Sequence, residues 1–399
     1  MEREDFIRLA SPGGQLLLEE LDYSSDTDVL KLVARLRKAG HDPLTVAAVL
    51  TQAKLRKRAA AKFGDFANRM LFTEAGLEQA SRLKVSALHA GRFRNAGISQ
   101  VADLGCGIGA EAMAMAALDL EVRAFEIDEV TAAVATYNLA PFENVTVELA
   151  DVQKLDLGQF ESLFFDPARR DLKGAKKASA KRIFDPANYS PNFEFCMDAA
   201  RKKPAGVKLG PGHDHRHIPK DAEAQWVSID GDLVELGLWF GSVKREGVVR
   251  SALLIDSNGH HEINSLESAS SNAPVGELAK YIYEPDNSLI RSRLISDFAK
   301  PLGLQIISPD IAYLTSDEKI SSPWVRGFEI IDNLVFDRKQ LKAYVKKNGI
   351  GILEIKKRGS DISPEDLRRE LSPKGEGAAT LIVTRVDDAH RVLVTQPIS

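Results

Sequence analysis

The run Val101-Ala-Asp-Leu-Gly-Cys-Gly-Ile-Gly-Ala110 joins an apolar approach, an acid and alternating glycines to a helix-forming stretch from Ala110 to Ala117. Such a turn lets the backbone approach a ligand where side chains would block it, and the helix start beyond it offers unpaired N–H groups. Gly105, Gly107 and Ala110 also fit the dinucleotide spacing Gly-x-Gly-x-x-Gly/Ala, so the glycines alone do not choose a ligand. Asp103, at the head of the turn, discriminates. A carboxylate there repels a pyrophosphate and attracts a cation.

Further acids stand where the next strands would end. Val122-Arg-Ala-Phe-Glu126 closes on an acid about twenty residues after the turn, the place from which a ribose hydroxyl pair is held. Val145-Thr-Val-Glu-Leu-Ala-Asp151 ends in a carboxylate that can accept from an adenine amino group, and Ser162-Leu-Phe-Phe-Asp166-Pro167 ends in an acid and a rigid proline. Any one of these could be a loop acid or a helix cap. Together they match the crevice at the carboxyl edge of a doubly wound sheet. The set predicts a site for S-adenosyl-L-methionine, whose ammonium and sulfonium suit Asp103. Asp103, Gly105, Gly107, Gly109, Glu126 and Asp151 would hold it. Methyl transfer is an in-line displacement, in which a protein mainly aligns the nucleophile and excludes water. An amine keeps its proton until after attack, so acceptors that aim its lone pair suffice. Asp166 and the carbonyls positioned by Pro167 would be those acceptors.

Asp103-Leu-Gly-Cys-Gly-Ile-Gly109, Phe125-Glu-Ile-Asp128 and Phe165-Asp-Pro-Ala-Arg-Arg170 resemble the first, second and fourth motifs of class I S-adenosylmethionine-dependent methyltransferases. Val207-Lys-Leu-Gly-Pro-Gly212, Tyr283-Glu-Pro-Asp286, and Leu353-Glu-Ile-Lys-Lys-Arg-Gly359 with Ser363-Pro-Glu-Asp-Leu-Arg-Arg369 resemble a narrower group. These are bacterial, chiefly actinobacterial, methyltransferases with a C-terminal THUMP-like domain. The likeness covers nearly the whole chain beyond about Asp42. It implies a Rossmann-like methyltransferase sheet, an N-terminal helical region and a C-terminal α/β THUMP-like domain; THUMP domains are associated with structured RNA. Methyltransferases acting on exocyclic amines usually read acid-or-Asn-Pro-Pro-aromatic at the fourth motif, with the ring stacking on a flipped base. Here the motif is Asp166-Pro167-Ala168-Arg169. The ring is missing, although Arg169 could stack its guanidinium plane or clamp a phosphate.

Basic clusters bear on the substrate. Lys54-Leu-Arg-Lys-Arg58 with Lys62 lies in the N-terminal region; Arg169 and Arg170 lead a second cluster with Lys173, Lys176, Lys177, Lys181 and Arg182; Lys346-Lys347 and Lys356-Lys357-Arg358 lie near the C-terminus. A charge run is usually a solvated face. The middle cluster borders the expected transfer site and would attract phosphates. Arg169, Arg170, Lys356, Lys357 and Arg358 are the candidate RNA contacts. Methylation of a small molecule or a protein remains open, as does RNA binding without turnover.

The 399 residues allow two or three domains. Hydrophobic content of 44% and charged content of 28% are those of a soluble globular protein. No apolar run approaches the ~20 residues of a membrane span. Two cysteines, Cys106 and Cys196, are too few for a disulfide scaffold and lack metal-site spacing, which suits a reducing cytoplasm. A net charge of −4 gives no global pull toward nucleic acid. His213, His215 and His217 alternate, but the surrounding Gly and Pro predict a loop, so no metal is expected.

The organisation reads as helical to residue 96, a doubly wound methyltransferase sheet over 97–264, a Ser/Asn-rich linker over 265–278, a small ferredoxin-like segment over 279–320 and the THUMP-like domain over 321–399. Asp42-Pro43 opens one long helix, and Thr73 to Phe93 reads as another.

Overall fold

The computed structural model describes residues 1–21, 23–24, 27–168, 188–267, 273–386 and 389–398. Its contacts divide into two compact units, Met1–Leu209 with Leu238–Arg245, and Gly210–Gly237 with Glu246–Ser399. The first unit opens with helices α1 (Arg3–Ala10), α2 (Pro12–Glu20), α3 (Val29–Lys38), α4 (Pro43–Phe63), α5 (Glu74–Gln79) and α6 (Leu83–Asn95). α4 starts where the sequence predicts, with the Asp42 carboxylate accepting from Thr45 N at 2.9 Å and Pro43 in the first turn. It buries Val46, Val49, Leu55 and Phe63 in the unit's core. Gln52 on α4 makes paired bonds with the Phe72 backbone, at 2.6 and 3.0 Å.

The helix expected from Thr73 to Phe93 is two. α5 stops at Gln79 without a glycine or proline, because lysines take its terminal carbonyls. Lys62 Nζ donates to Leu77, Glu78 and Ala80 at 2.8, 3.0 and 2.7 Å, and Lys208 Nζ donates to Gln79 at 3.2 Å.

The rest of the unit alternates strand and helix: β1 (Gln100–Leu104), α7 (Ala110–Ala117), β2 (Glu121–Glu126), α8 (Glu129–Leu139), β3 (Val145–Leu149), β4 (Ser162–Phe165), α9 (Phe193–Ala200) and β5 (Ala205–Leu209). The strands are parallel in the order β3-β2-β1-β4-β5. This is a doubly wound sheet with its order reversing beside β1. The apolar residues of β1 are fully buried, as a central parallel strand requires. Asn138 on α8 donates to the carbonyls of Leu71 and Ile108, both at 3.0 Å, and accepts from Leu71 N at 2.8 Å.

The second unit begins with β6 (Glu223–Ile229), most of β7 (Asp232–Phe240), β8 (Arg250–Asp256) and β9 (Gly259–Ser265). β6 and β8 are parallel; β8 and β9 form an antiparallel hairpin. Then come β10 (Tyr281–Pro285), α10 (Asn287–Arg291), α11 (Ile295–Ala299), β11 (Gln305–Ser308), β12 (Ile311–Ser316), β13 (Val325–Val335), α12 (Arg338–Lys347), β14 (Ile350–Lys357), α13 (Pro364–Leu371), β15 (Gly377–Val386) and β16 (Ala389–Pro397). β10 to β16 form one seven-stranded sheet, ordered β11-β12-β10-β13-β16-β15-β14.

The segments read as separate at 279–320 and 321–399 therefore share a sheet, because β10 pairs with both β12 and β13. The helix expected near Leu289 to Ala299 is interrupted by Arg293, whose φ of 60° breaks the helical path. The alternation expected from Trp324 onward is present as β13-α12-β14-α13-β15-β16. α12 and α13 bury Leu341, Val345, Leu367 and Leu371 against β14 to β16. Of the expected linker, residues 268–272 lie outside the described residues. Among the described residues no helix is long and apolar enough to cross a membrane.

Candidate active site

β1 delivers Asp103 and then the glycine turn. Gly105 N and Cys106 N both donate to Phe125 O, at 2.9 and 3.0 Å, which ties the turn to β2. Gly105, Gly107 and Gly109 all have positive φ, at 101°, 56° and 91°. The crowding around them differs. A Cβ on Gly109 would stand 2.9 Å from Leu139, and one on Gly105 would stand 3.3 Å from the Asp166 carbonyl. A Cβ on Gly107 would meet nothing within 4 Å. Gly109 thus permits helix packing, whereas Gly107 faces open space.

Asp103 is fully buried, and neither carboxyl oxygen has a hydrogen-bond partner. Burial first, then the neighbouring Glu111 and Asp166 charges, hold its carboxyl far above the usual range. An acid left so exposed to its own desolvation cost calls for a cation.

Glu126, at the tip of β2, accepts from Gly107 N at 3.1 Å, Ile127 N at 2.8 Å and Asp128 N at 2.9 Å. Burial still raises its carboxyl above the ordinary value against these three donors. It both shapes the turn and keeps acceptor capacity. Asp151 follows β3, where Ala150 N is tied to Glu126 O at 2.9 Å. Its carboxylate caps a short turn through Gln153 N at 3.1 Å and pairs with Lys154 at 3.4 Å.

Asp166 and the buried Pro167 follow β4. Asp166 Oδ2 accepts from Lys208 Nζ on β5 at 2.6 Å, with the Lys208 side chain 12% exposed. Asp166, Lys208 and Glu126 all act electrostatically on Asp103, so three of the expected acids gather at one end of the sheet. Asp151 stands at the neighbouring strand tip without joining that group.

Several residues here were missed in the sequence. Lys208 lies within a recognised segment but had no role; a charge between apolar Val207 and Leu209 in a short strand was the available signal. Beneath the glycine turn, His89 Nδ1 lies 3.1 Å from Glu111 Oε2, both buried, with the ring packed between Phe164 and Trp239. Burial pushes the Glu111 carboxyl up, but His89 and Lys208 outweigh it and bring it down to about 2. Partial burial first, then the charges of Lys208 and Arg82, lower Lys62 to about 8.

Arg169 and Arg170, with Lys173, Lys176, Lys177, Lys181 and Arg182, lie outside the described residues. In the second unit, Lys356 and Arg358 do not form an open basic face. Lys356 Nζ pairs with Glu284 at 2.5 Å, and Arg358 donates to Ala312 O at 2.6 Å while covering the Tyr313 ring. Both line a cavity of about 480 Å³ together with Glu284 and Asp286. Lys357 alone of the three is exposed. His215 and His217 lie in a single 3-10 turn that Asp214 caps.

A family model described as THUMP domain-like matches residues 325–397, and one described as a domain of unknown function matches residues 2–59. Uncharacterised S-adenosylmethionine-dependent methyltransferases from two strains of Mycobacterium tuberculosis are each 31% identical over 344 residues, covering 83% of this chain and 90% of theirs. A Porphyromonas gingivalis W83 crystal structure described as a methyltransferase superposes with a TM-score of 0.72 at 21% identity, covering 99% of this chain and 98% of that one. That likeness concerns the fold. The orphaned Asp103 carboxyl and the open approach at Gly107 fit a sulfonium amino acid as cofactor. The chain belongs to the S-adenosylmethionine-dependent methyltransferases that carry a THUMP-like region near the C-terminus.

Proposed function

We propose that this methyltransferase modifies RNA, with an exocyclic amine of a base as acceptor. Asp103, Gly105, Gly107, Gly109, Glu126 and Asp151 hold the cofactor, which when bound supplies a methyl group on a cationic sulfur. Asp103 answers the cofactor's positive charge; Glu126 keeps the turn open through its backbone bonds. Asp166 and Pro167 orient the acceptor. Lys208 fixes the Asp166 carboxylate through Oδ2, and the carboxylate so held would accept from the N–H of the incoming amine and aim its lone pair. As the C–N bond formed, the methyl carbon's bond to sulfur would break, and the N–H proton would pass to solvent afterwards, so Asp166 need only accept a hydrogen bond.

The observation that carries this reading is the Asp166–Lys208 pair at 2.6 Å beside the unpartnered Asp103. For RNA, the support is α12, whose Lys339, Lys342, Lys346 and Lys347 are all exposed within the THUMP-like match. A small-molecule or protein acceptor is favoured instead by the net charge of −4 and by the internal pairing of Lys356.

The test is to incubate the protein with labelled cofactor and RNA from a strain lacking its gene, then map the labelled nucleotide. Label on one base amine is expected. Label confined to the protein or small-molecule fraction refutes the RNA reading.

A further inference from the structure

The second unit holds a knot of positive charge that methyl transfer does not use. His215 lies flat on Trp226 of β6, with ring centroids 5.0 Å apart and planes inclined by 19°. Its electrostatic neighbours are Arg250 at the start of β8, Arg291 at the end of α10 and Arg293 in the break before α11. Arg250 is 5% exposed. Its guanidinium donates to backbone carbonyls: Glu267 at 3.1 and 3.0 Å, and Ser292 at 3.0 Å. Arg291 Nη2 donates to His213 O at 3.1 Å, and its buried Nε has no partner. Arg293 is exposed and its side chain bonds to nothing among the described residues.

None of these arginines forms a salt bridge among the described residues. Carbonyl oxygens satisfy N–H groups but neutralise no charge. The nearest acid on the loop, Asp214, is already forked by Arg216 at 2.5 and 2.9 Å. Asp297 and Glu267 act on Arg250 only at a distance, and Asp214 on His215, yet the positive charge still registers on His215, which burial first and then Arg293, Arg291 and Arg250 lower to about 4. Guanidinium groups held together with no carboxylate bonded to them are completed by an anion, and the buried Arg250 beside them sharpens that need. The planar fork of a guanidinium matches phosphate oxygens best, and a neutral imidazole adds an N–H donor.

We propose that Arg291, Arg293 and His215 form a phosphate-binding subsite, with Arg250 fixing the backbone that presents it. The ligand chemistry is a phosphoryl oxyanion. Its source is either a diester of an RNA strand, which rests on the function proposed above, or a free phosphoryl compound.

Arg293→Asn is the informative variant, because asparagine tolerates the left-handed backbone and no bond of the Arg293 side chain is lost. The melting temperature of the full chain is followed against inorganic phosphate and against sodium chloride at matched ionic strength. Phosphate should stabilise the wild type saturably beyond chloride, R293N should lose that excess, and Arg293→Lys should keep part of it. Binding of labelled total tRNA between 50 and 200 mM salt is then compared. R293N should bind ~3–10-fold more weakly, with a log–log salt slope reduced by about one. A wild type that responds alike to phosphate and chloride overturns the subsite, as does an R293N that keeps the full phosphate response. Loss of the phosphate response with unchanged tRNA binding assigns the subsite to a free phosphoryl ligand and overturns the RNA source. Absence of tRNA binding by the wild type sinks the RNA reading, while the phosphate titration still decides the subsite.

Discussion

Asp103→Asn should make the protein more stable without cofactor and a poorer binder of it. The unfolded chain releases this proton near pH 3.8, whereas the native carboxyl, buried beside Glu111 and Asp166, holds it far above that. Below pH 3.8 both states are protonated and nothing is lost. As pH climbs past 3.8 the unfolded state ionises first, and the native state is progressively destabilised until its own pKa is reached. Each tenfold difference in proton affinity is worth ~1.4 kcal/mol. An asparagine cannot ionise, and it leaves comparable buried polar atoms, so the neutral cost largely cancels. In a domain of this size 1 kcal/mol moves Tm by ~2–4 °C. The variant should therefore melt above wild type by at least that much at pH 8, and by less at pH 5. Its cofactor affinity should fall ~10–150-fold, the worth of a charged hydrogen bond of ~1.5–3 kcal/mol. Scanning fluorimetry across pH with cofactor titration by calorimetry measures both. A variant that melts below wild type at every pH, or binds cofactor equally tightly, refutes the claim that Asp103 is an orphaned acid awaiting a cation.

Lys208→Met should leave cofactor affinity within about twofold and cut transfer to RNA by ~10-fold or more, since it frees Asp166 to turn away; unchanged turnover in a labelled-methyl assay contradicts the pairing role. His89→Ala strands a buried carboxylate and should cost ~3–5 kcal/mol in denaturant unfolding at neutral pH. Because Glu111 titrates at about 2 in the native state against 4.5 ordinarily, its stabilisation is full above pH 4.5 and fades as pH falls toward 2, so the cost of the variant should shrink over that window. Gly109→Ala places a methyl 2.9 Å from Leu139 on a backbone with φ of 91° and should destabilise by ~1–3 kcal/mol; a neutral effect on the unfolding midpoint would show that α8 gives way.

What could be read from the sequence was local. The glycine turn, the Asp42 cap and the alternation from β13 to β16 each lie within a few consecutive residues, so periodicity and punctuation reveal them. What escaped depends on partners far along the chain. α5 ends because Lys62 and Lys208 take its carbonyls, and no breaker marks the place. Lys356 looked like part of a phosphate-binding run, yet its partner Glu284 stands 72 residues earlier. The same holds for the strand-tip acids: their order along the strands was legible, but that Lys208 occupies one oxygen of Asp166 was not. Asp151 shows the converse, a residue whose position follows the pattern while its carboxylate serves a local turn.

The amides of Gln52 and Asn138 have an architectural consequence. Between them they stitch the strip at Leu71 and Phe72 to α4, to α8 and, through Ile108, to the glycine loop itself. A chain begun at Gly97 would keep every parallel strand yet leave the Asn138 amide one of its three bonds beside a vacated seam. Grafting this sheet onto another scaffold therefore requires carrying the helices before it as part of the graft, because the glycine loop is sewn to them through Asn138.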